Sequence, residues 1–140
     1  MKKRASSAKF YFRQVGKGGC GLYGLNIQLQ MVGIKNPVEF EFSRDKGISP
    51  KKILLEERKA GLSANPIYLS IRNIRPKLML WLPPPLDHYV VTGEIAGGKI
   101  FIYGNGDGEP RWMRISTLKR KWYKLYGRRL RGWAIEVTKK

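Results

Sequence analysis

Cys20 is the only cysteine of the chain, and it stands directly before an apolar segment with helical periodicity. Apolar side chains recur in that segment at spacings of three and four residues, at Leu22, Leu25, Leu29 and Val32. This spacing predicts a buried helix face and a helix over residues 20–32. Cys20 would then lie at a helix N-terminus, where the helix dipole and unpaired backbone N–H groups stabilise the nucleophilic thiolate.

Other groups able to take part in the same chemistry lie before and after this helix. Gln14 precedes Cys20 by six residues and could offer its amide to a developing oxyanion. His88, the only histidine, begins a predicted strand, and a predicted hairpin through residues 96–98 brings it beside Asn105 in a glycine-rich loop. An imidazole exchanges protons with a thiol and a leaving group, and Asn105, with Asp107 as the alternative, would fix its tautomer. The set predicts a cysteine hydrolase.

The remaining pattern predicts helices followed by an antiparallel sheet. Ser49 and Pro50 are typical of a helix start, and they predict a second helix over residues 50–60. Strands are predicted over residues 67–71, 78–82, 87–92, 99–103 and 132–137. A third helix is expected from a cap at Ser116 through residue 126, with an apolar side formed by Leu118, Trp122 and Leu125.

Four motifs occur in a fixed order along the chain. They are Gln14-x5-Cys20-Gly21, Gly61-Leu62, His88-Tyr-Val-Val-Thr-Gly93 and Ile100-Phe-Ile-Tyr-Gly-Asn105. In these motifs the sequence resembles the papain-like double-glycine leader peptidases that are fused to, or accompany, bacteriocin exporters. The resemblance covers roughly residues 10–137. It departs from the family where the aspartate of an Asp-Pro motif falls at Gly104, one place before Asn105.

The resemblance implies both a fold and an activity. The fold would be α+β and papain-like, with the N-terminal helix that carries Cys20 packed on an antiparallel β-sheet. The activity would be hydrolysis of peptide bonds in a peptide or protein substrate, after small residues such as Gly-Gly. Cys20 would be the nucleophile, His88 the general base and acid, and Gln14 the oxyanion donor. The orienting third residue would be Asn105 or Asp107.

The net charge of +18, from 28 Lys and Arg against 10 Asp and Glu, implies an anionic partner or milieu. From Arg111 onward the only acidic residue is Glu136. The expected contacts with nucleic acid or another polyanion are Lys119, Arg120, Lys121, Lys124, Arg128, Arg129 and Arg131. The alternative function is therefore a catalytically idle peptidase-like domain bound to a polyanion, within a virus particle or another nucleoprotein assembly. A merely solvated basic face is the third interpretation.

Composition excludes several classes of protein. One cysteine and one histidine allow neither an intramolecular disulfide nor a zinc cluster, so we expect no metal and no cofactor. The expected compartment is reducing and cytoplasmic, and association with a virus particle is the alternative. The basic start lacks the apolar segment of a signal peptide, and no transmembrane helix is visible. Residues 1–9 are expected to form a flexible basic arm and residues 10–140 a single peptidase domain, free-standing because no transporter segment is present.

Overall fold

The computed structural model describes residues 10–11, 19–42, 47–84, 86–104 and 109–139. Its helices are α1 (Cys20–Met31), α2 (Pro50–Lys59) and α3 (Ile115–Trp122), with a short 3-10 helix at Ile71–Asn73. Its strands are β1 (Leu62–Leu69), β2 (Leu78–Leu82), β3 (His88–Ala96), β4 (Lys99–Tyr103), β5 (Arg111–Arg114), β6 (Lys124–Tyr126) and β7 (Arg129–Lys139). The antiparallel sheet has the order β1-β7-β2-β3-β4-β5, and β6 pairs with the first residues of β7.

Helix α1 is the centre of the core, and residues 21–29 of it are all buried. It lies close to the sheet because Gly24 has no side chain: a Cβ there would stand 3.2 Å from Met79 and 3.3 Å from Val91. Gly21 likewise lets Ile48 approach the first turn of the helix. Because protein interiors are close-packed, Gly24 fixes how near α1 comes to β2 and β3, and Gly21 fixes how near it comes to Ile48.

The sheet has an apolar core on each face. Met79, Tyr89 and Val91 point to the face covered by α1 and α2, whereas Leu80 and Val90 point to the face covered by α3. This alternation follows from the two-residue period of a strand. The structure confirms the predicted α+β fold, with the helix that carries Cys20 packed on an antiparallel sheet.

The first two helices agree with the sequence prediction. Residues 20–31 are helical, and Ser49 caps α2 by accepting a hydrogen bond from the backbone N–H of Lys52 at 3.2 Å. Strands β2 and β4 have the predicted bounds, whereas β3 and β7 are longer than expected and β1 begins earlier, at Leu62. Strands β5 and β6 were not predicted.

The prediction for the third helix was wrong in its bounds and in one buried residue. Helix α3 begins at Ile115 after Arg114 with no side-chain cap, so Ser116 is not its cap, and the helix ends at Trp122. The indole N–H of Trp122 donates to the carbonyl of Trp133 at 2.9 Å, which holds the end of the helix against β7. The chain then enters the β6–β7 hairpin, so Leu125 is 58% exposed rather than buried.

None of the helices in the described part of the chain is long and apolar enough to cross a lipid bilayer.

Candidate active site

Cys20 is the first residue of α1 and is half-buried. Its sulfur shares a hydrogen bond with the side chain of His88 and accepts hydrogen bonds from the backbone N–H groups of Tyr89 and Gly21. The N–H of Gly21 belongs to the first helical turn, where N–H groups have no partner within the helix. The fold therefore surrounds the sulfur with donors that favour its anionic form.

His88 is the first residue of β3, and its ring lies between Cys20 and the backbone carbonyl of Gly104. Because a carbonyl oxygen only accepts, the ring nitrogen Nε2 carries the hydrogen and donates it to Gly104. This leaves Nδ1 as the ring nitrogen that serves the sulfur of Cys20. A backbone group thus fixes the tautomer that lets the imidazole take a proton from a thiol.

Gly104 reaches His88 with a left-handed backbone, at a φ of +95°. A Cβ at this position would lie 3.1 Å from the carbonyl oxygen of Tyr89, so both the backbone angle and the space favour glycine. The sequence prediction missed this contact, because the glycine-rich segment that begins at Gly104 was interpreted as a loop that supplies Asn105 or Asp107. The sequence feature that could have indicated this contact is the position of Gly104, directly after β4, the strand that pairs with the strand of His88.

The electrostatics of the pair favour charge separation. Burial raises the pKa of the Cys20 thiol, but the hydrogen bond from His88, the backbone N–H groups and the positive imidazolium outweigh burial, and the pKa falls below its usual value. Burial lowers the pKa of His88, but the hydrogen bonds with Cys20 and Gly104 and the negative thiolate outweigh it, and the pKa rises. Both shifts therefore favour a thiolate beside an imidazolium over the neutral pair.

The fold of the chain is similar to that of several solved peptidase domains. No protein-family model and no curated protein sequence matches the chain. One similar solved structure is that of a double glycine motif protease from an AMS/PCAT transporter in complex with the leader peptide. It aligns with a TM-score of 0.70 at 18% sequence identity, over 92% of this chain and 90% of that one. The chain has the fold of a double-glycine peptidase domain.

Two further structures with this fold are similar. The peptidase domain of Streptococcus ComA, a bi-functional ABC transporter involved in a quorum sensing pathway, gives a TM-score of 0.66 at 14% identity over 91% of this chain and 96% of that one. The third structure is the N-terminal peptidase-like domain of the toxin secretion ATP-binding protein from Vibrio parahaemolyticus. It aligns with a TM-score of 0.58 at 17% sequence identity, over 84% of this chain and 96% of that one. The double-glycine peptidase fold therefore extends over nearly the whole chain.

Asp87 is a third charged group of the site, and the sequence prediction did not include it. It has a left-handed φ of +43°, and its Oδ1 accepts a hydrogen bond from the indole N–H of Trp81 at 3.1 Å. Its negative charge adds to the rise in the pKa of His88. An aspartate directly before the only histidine is the signal that could have identified it.

The structure brings together two of the predicted site residues, Cys20 and His88. Gln14, Asn105 and Asp107 lie outside the described residues, and their roles stay predictions. Within the described ranges, no group of three or more His, Cys, Asp and Glu side chains could hold a metal ion.

The predicted polyanion contacts do not form one continuous strip. Lys119, Arg120 and Lys121 lie on α3, which covers the sheet face opposite α1. The other four lie on the β6–β7 hairpin: Lys124 in β6, Arg128 in its turn, and Arg129 and Arg131 in β7. These seven basic residues, although close together in the sequence, are thus divided between two parts of the surface.

Proposed function

We propose that the protein is a cysteine peptidase in which Cys20 is the nucleophile and His88 is the general base and acid. The observation that carries this proposal is the sequence of contacts from the Cys20 sulfur through the His88 ring to the Gly104 carbonyl. A nucleophile, a proton carrier and a group that orients the carrier are the three parts that acyl transfer by a thiol requires. The double-glycine peptidase fold supports the same assignment.

The reaction has two halves. In the first, the Cys20 thiolate attacks the peptide carbonyl, and the imidazolium of His88 gives its Nδ1 proton to the leaving amine as the C–N bond breaks. A thioester and a neutral imidazole remain. In the second half, His88 takes a proton from a water molecule that attacks the thioester, the C–S bond breaks, and the acid product leaves as the Cys20 thiolate and the His88 imidazolium are restored.

The negative charge of the tetrahedral intermediate needs donors near Cys20. The start of α1 supplies a positive dipole and backbone N–H groups, and Gly19, the residue before the helix, has no side chain that would cap them. We assign the remaining donor to the amide of Gln14, following the resemblance. Asn105 or Asp107 would reinforce the orientation that the Gly104 carbonyl gives to His88.

For the substrate we propose a peptide bond that follows small residues, with Gly-Gly as the first sequence to test. Support comes from the similar structure of a double glycine motif protease in complex with the leader peptide.

The test is labelling of the thiol with a peptide electrophile that ends in Gly-Gly, followed by intact-mass measurement at pH 7. Wild type should be labelled once and Cys20→Ser not at all. His88→Ala should react on the order of 100-fold more slowly, because it loses the base that holds the thiolate. Lys121→Ala, an exposed change on α3, is the matched control and should react like wild type. Equal labelling of His88→Ala and wild type would rule out the pair.

A further inference from the structure

A row of four aromatic side chains crosses the sheet from the candidate active site. Tyr89, Trp81, Trp133 and Tyr68 occupy directly paired positions on β3, β2, β7 and β1. Residues paired in this way place their side chains on the same face of a sheet, here the face on which α1 packs. The backbone of Tyr89 touches the sulfur of Cys20, and Tyr68 at the far end is 51% exposed. The aromatic row therefore begins at the candidate nucleophile.

The row ends at a cavity of about 470 Å³, which we call the arginine pocket. It is lined by Tyr68, Tyr126, Gly127, Arg128, Arg129 and Arg131. The rings of Tyr68 and Tyr126 are 4.8 Å apart and form its apolar wall. No acidic side chain lines the pocket, and none of its three arginines forms an ion pair with a described residue. The buried hydroxyl of Tyr126 also lacks a hydrogen-bond partner among the described residues.

The register of the β6–β7 hairpin turns this pocket towards the aromatic row. Arg129 and Arg131 alternate with the residues between them along β7, so they share the face of Trp133. Lys124, paired with Arg131, places its ammonium 5.4 Å from the centroid of the Trp81 ring. The positive charges and the three accessible rings of the row, Trp81, Trp133 and Tyr68, thus form one surface, and the same ligand can touch both.

The span of this surface suits a short peptide. Strands lie about 4.8 Å apart, so three strand spacings separate Tyr89 from Tyr68 by about 14 Å. An extended peptide advances about 3.3 Å per residue and crosses that distance in about four to five residues. A chain whose scissile bond lies at Cys20 therefore reaches the arginine pocket with residues a few positions away from the cut.

We propose that the arginine pocket binds acidic side chains of the peptide substrate, about five residues from the bond that Cys20 cleaves. This inference rests on the proposed peptidase function and names the class of its substrate. Guanidinium groups pair with carboxylates in a planar, two-bond geometry, which suits the three arginines of this pocket. Arg128, Arg129 and Arg131 would determine which peptides are cleaved, without taking part in the bond-breaking steps.

A peptide fits the distribution of charge better than a nucleic acid does. Single-stranded nucleic acid is usually bound along a continuous basic groove that follows its backbone. Here the cations of α3 lie on the opposite face of the sheet from the arginine pocket, and the row between the pocket and Cys20 is aromatic. One localised group of positive charges at the end of an apolar row is suited to a peptide with one acidic segment.

The test measures binding and cleavage of fluorescein-labelled peptides that contain Gly-Gly and three glutamates, with five residues between them. Two peptides carry the glutamates before or after Gly-Gly, and two more replace every glutamate with glutamine. We expect the better glutamate peptide to bind about tenfold more tightly than its glutamine partner at low salt, as two or three exposed ion pairs allow. The preference should shrink as salt rises, because salt screens exposed charges.

The variant R129E/R131E should abolish the preference for glutamate, and the matched double reversal R120E/K121E on α3 should keep it. Equal binding of glutamate and glutamine peptides by wild type overturns the proposal. An equal loss of the glutamate preference in both double variants also overturns it, because such a loss would follow from the change in net charge alone. Tighter binding of a labelled single-stranded oligonucleotide through Arg129 and Arg131 than of either glutamate peptide would assign the pocket to nucleic acid instead.

The proposed function can fail separately from this inference. Binding by anisotropy does not require cleavage, so it is measured in Cys20→Ser as well as in wild type. If Cys20 is not labelled but the glutamate preference depends on Arg129 and Arg131, the peptidase function fails and the acidic-peptide site stands. If Cys20 is labelled at the wild-type rate in R129E/R131E and no glutamate preference exists, the site fails and the peptidase function stands.

Discussion

Replacement of Glu57 with methionine should stabilise the protein, and the gain should be several kcal/mol larger at neutral and higher pH than at pH 4.5. Glu57 lies in α2 with its side chain fully buried, and neither carboxylate oxygen has a hydrogen-bond partner among the described residues. Burial raises the pKa of Glu57 to about 8, although the positive charge of Arg58 acts in the opposite direction. The folded protein therefore keeps this carboxyl protonated at neutral pH, whereas the unfolded chain ionises it.

The size of the effect follows from the difference between the two pKa values. The pKa in the unfolded chain is near the ordinary value of 4.5, and in the folded protein it is about 8. Below the unfolded value both states are protonated, and the group costs nothing by titration. As the pH rises the unfolded state gains about 1.4 kcal/mol per pH unit relative to the folded one, so the cost is about 3 kcal/mol at pH 7, about 4 kcal/mol at pH 8 and about 5 kcal/mol at higher pH.

Methionine is similar in length to glutamate, fills the same space and does not titrate. Urea unfolding followed by tryptophan fluorescence at pH 4.5, 6, 7 and 8 should show the variant gaining free energy of unfolding over wild type as the pH rises. Glu56→Met in the next position is the control: it removes the ion pairs of a partly buried carboxylate with Lys52 and Lys59, and should change stability by about 1 kcal/mol or less at each pH. A gain from Glu57→Met that is the same at every pH would refute the reasoning.

The other predictions concern the site and the sheet. Cleavage should follow a bell-shaped pH profile. The acid limb of the profile should lie below the ordinary thiol pKa, because the pKa of Cys20 is lowered. The alkaline limb should lie above the ordinary imidazole pKa, because the pKa of His88 is raised. Asp87→Asn should move the alkaline limb to lower pH with little change in stability, since it removes a negative charge that favours the imidazolium; an unmoved limb would contradict this. Gly132→Ala should lower the free energy of unfolding by more than about 2 kcal/mol in urea titrations, because its Cβ would lie 1.8 Å from the Trp122 ring.

Local patterns explain which parts of the fold were predictable. The periodicity of α1 and the Ser49-Pro50 start of α2 depend on residues close in sequence, and both were predicted well. The end of α3 depends on a contact between Trp122 and β7, which neighbouring residues do not encode. The same tertiary contact explains why Leu125 was predicted to be buried and is exposed.

The candidate site was predictable to the extent that it consists of rare residues. A single cysteine and a single histidine left few alternatives for a nucleophile and its base, and the structure places the two side chains in contact. The carbonyl of Gly104 was missed because every residue has a carbonyl, and only the fold determines which one meets His88. The arginine pocket was missed for a related reason, since the β6–β7 pairing was not predicted.

The departure at Gly104 changes how His88 is supported rather than whether it is supported. In the peptidase family that the sequence resembles, an aspartate stands at this position, and one carboxylate could supply both orientation and negative charge. Here the two contributions come from different residues: the Gly104 carbonyl orients the ring, and Asp87, held by the indole of Trp81, supplies the charge. A neutral carbonyl stabilises an imidazolium less than a carboxylate does. The loss of Asp87 should therefore affect the protonation of His88 more than its position, and the pH profile of Asp87→Asn separates these effects.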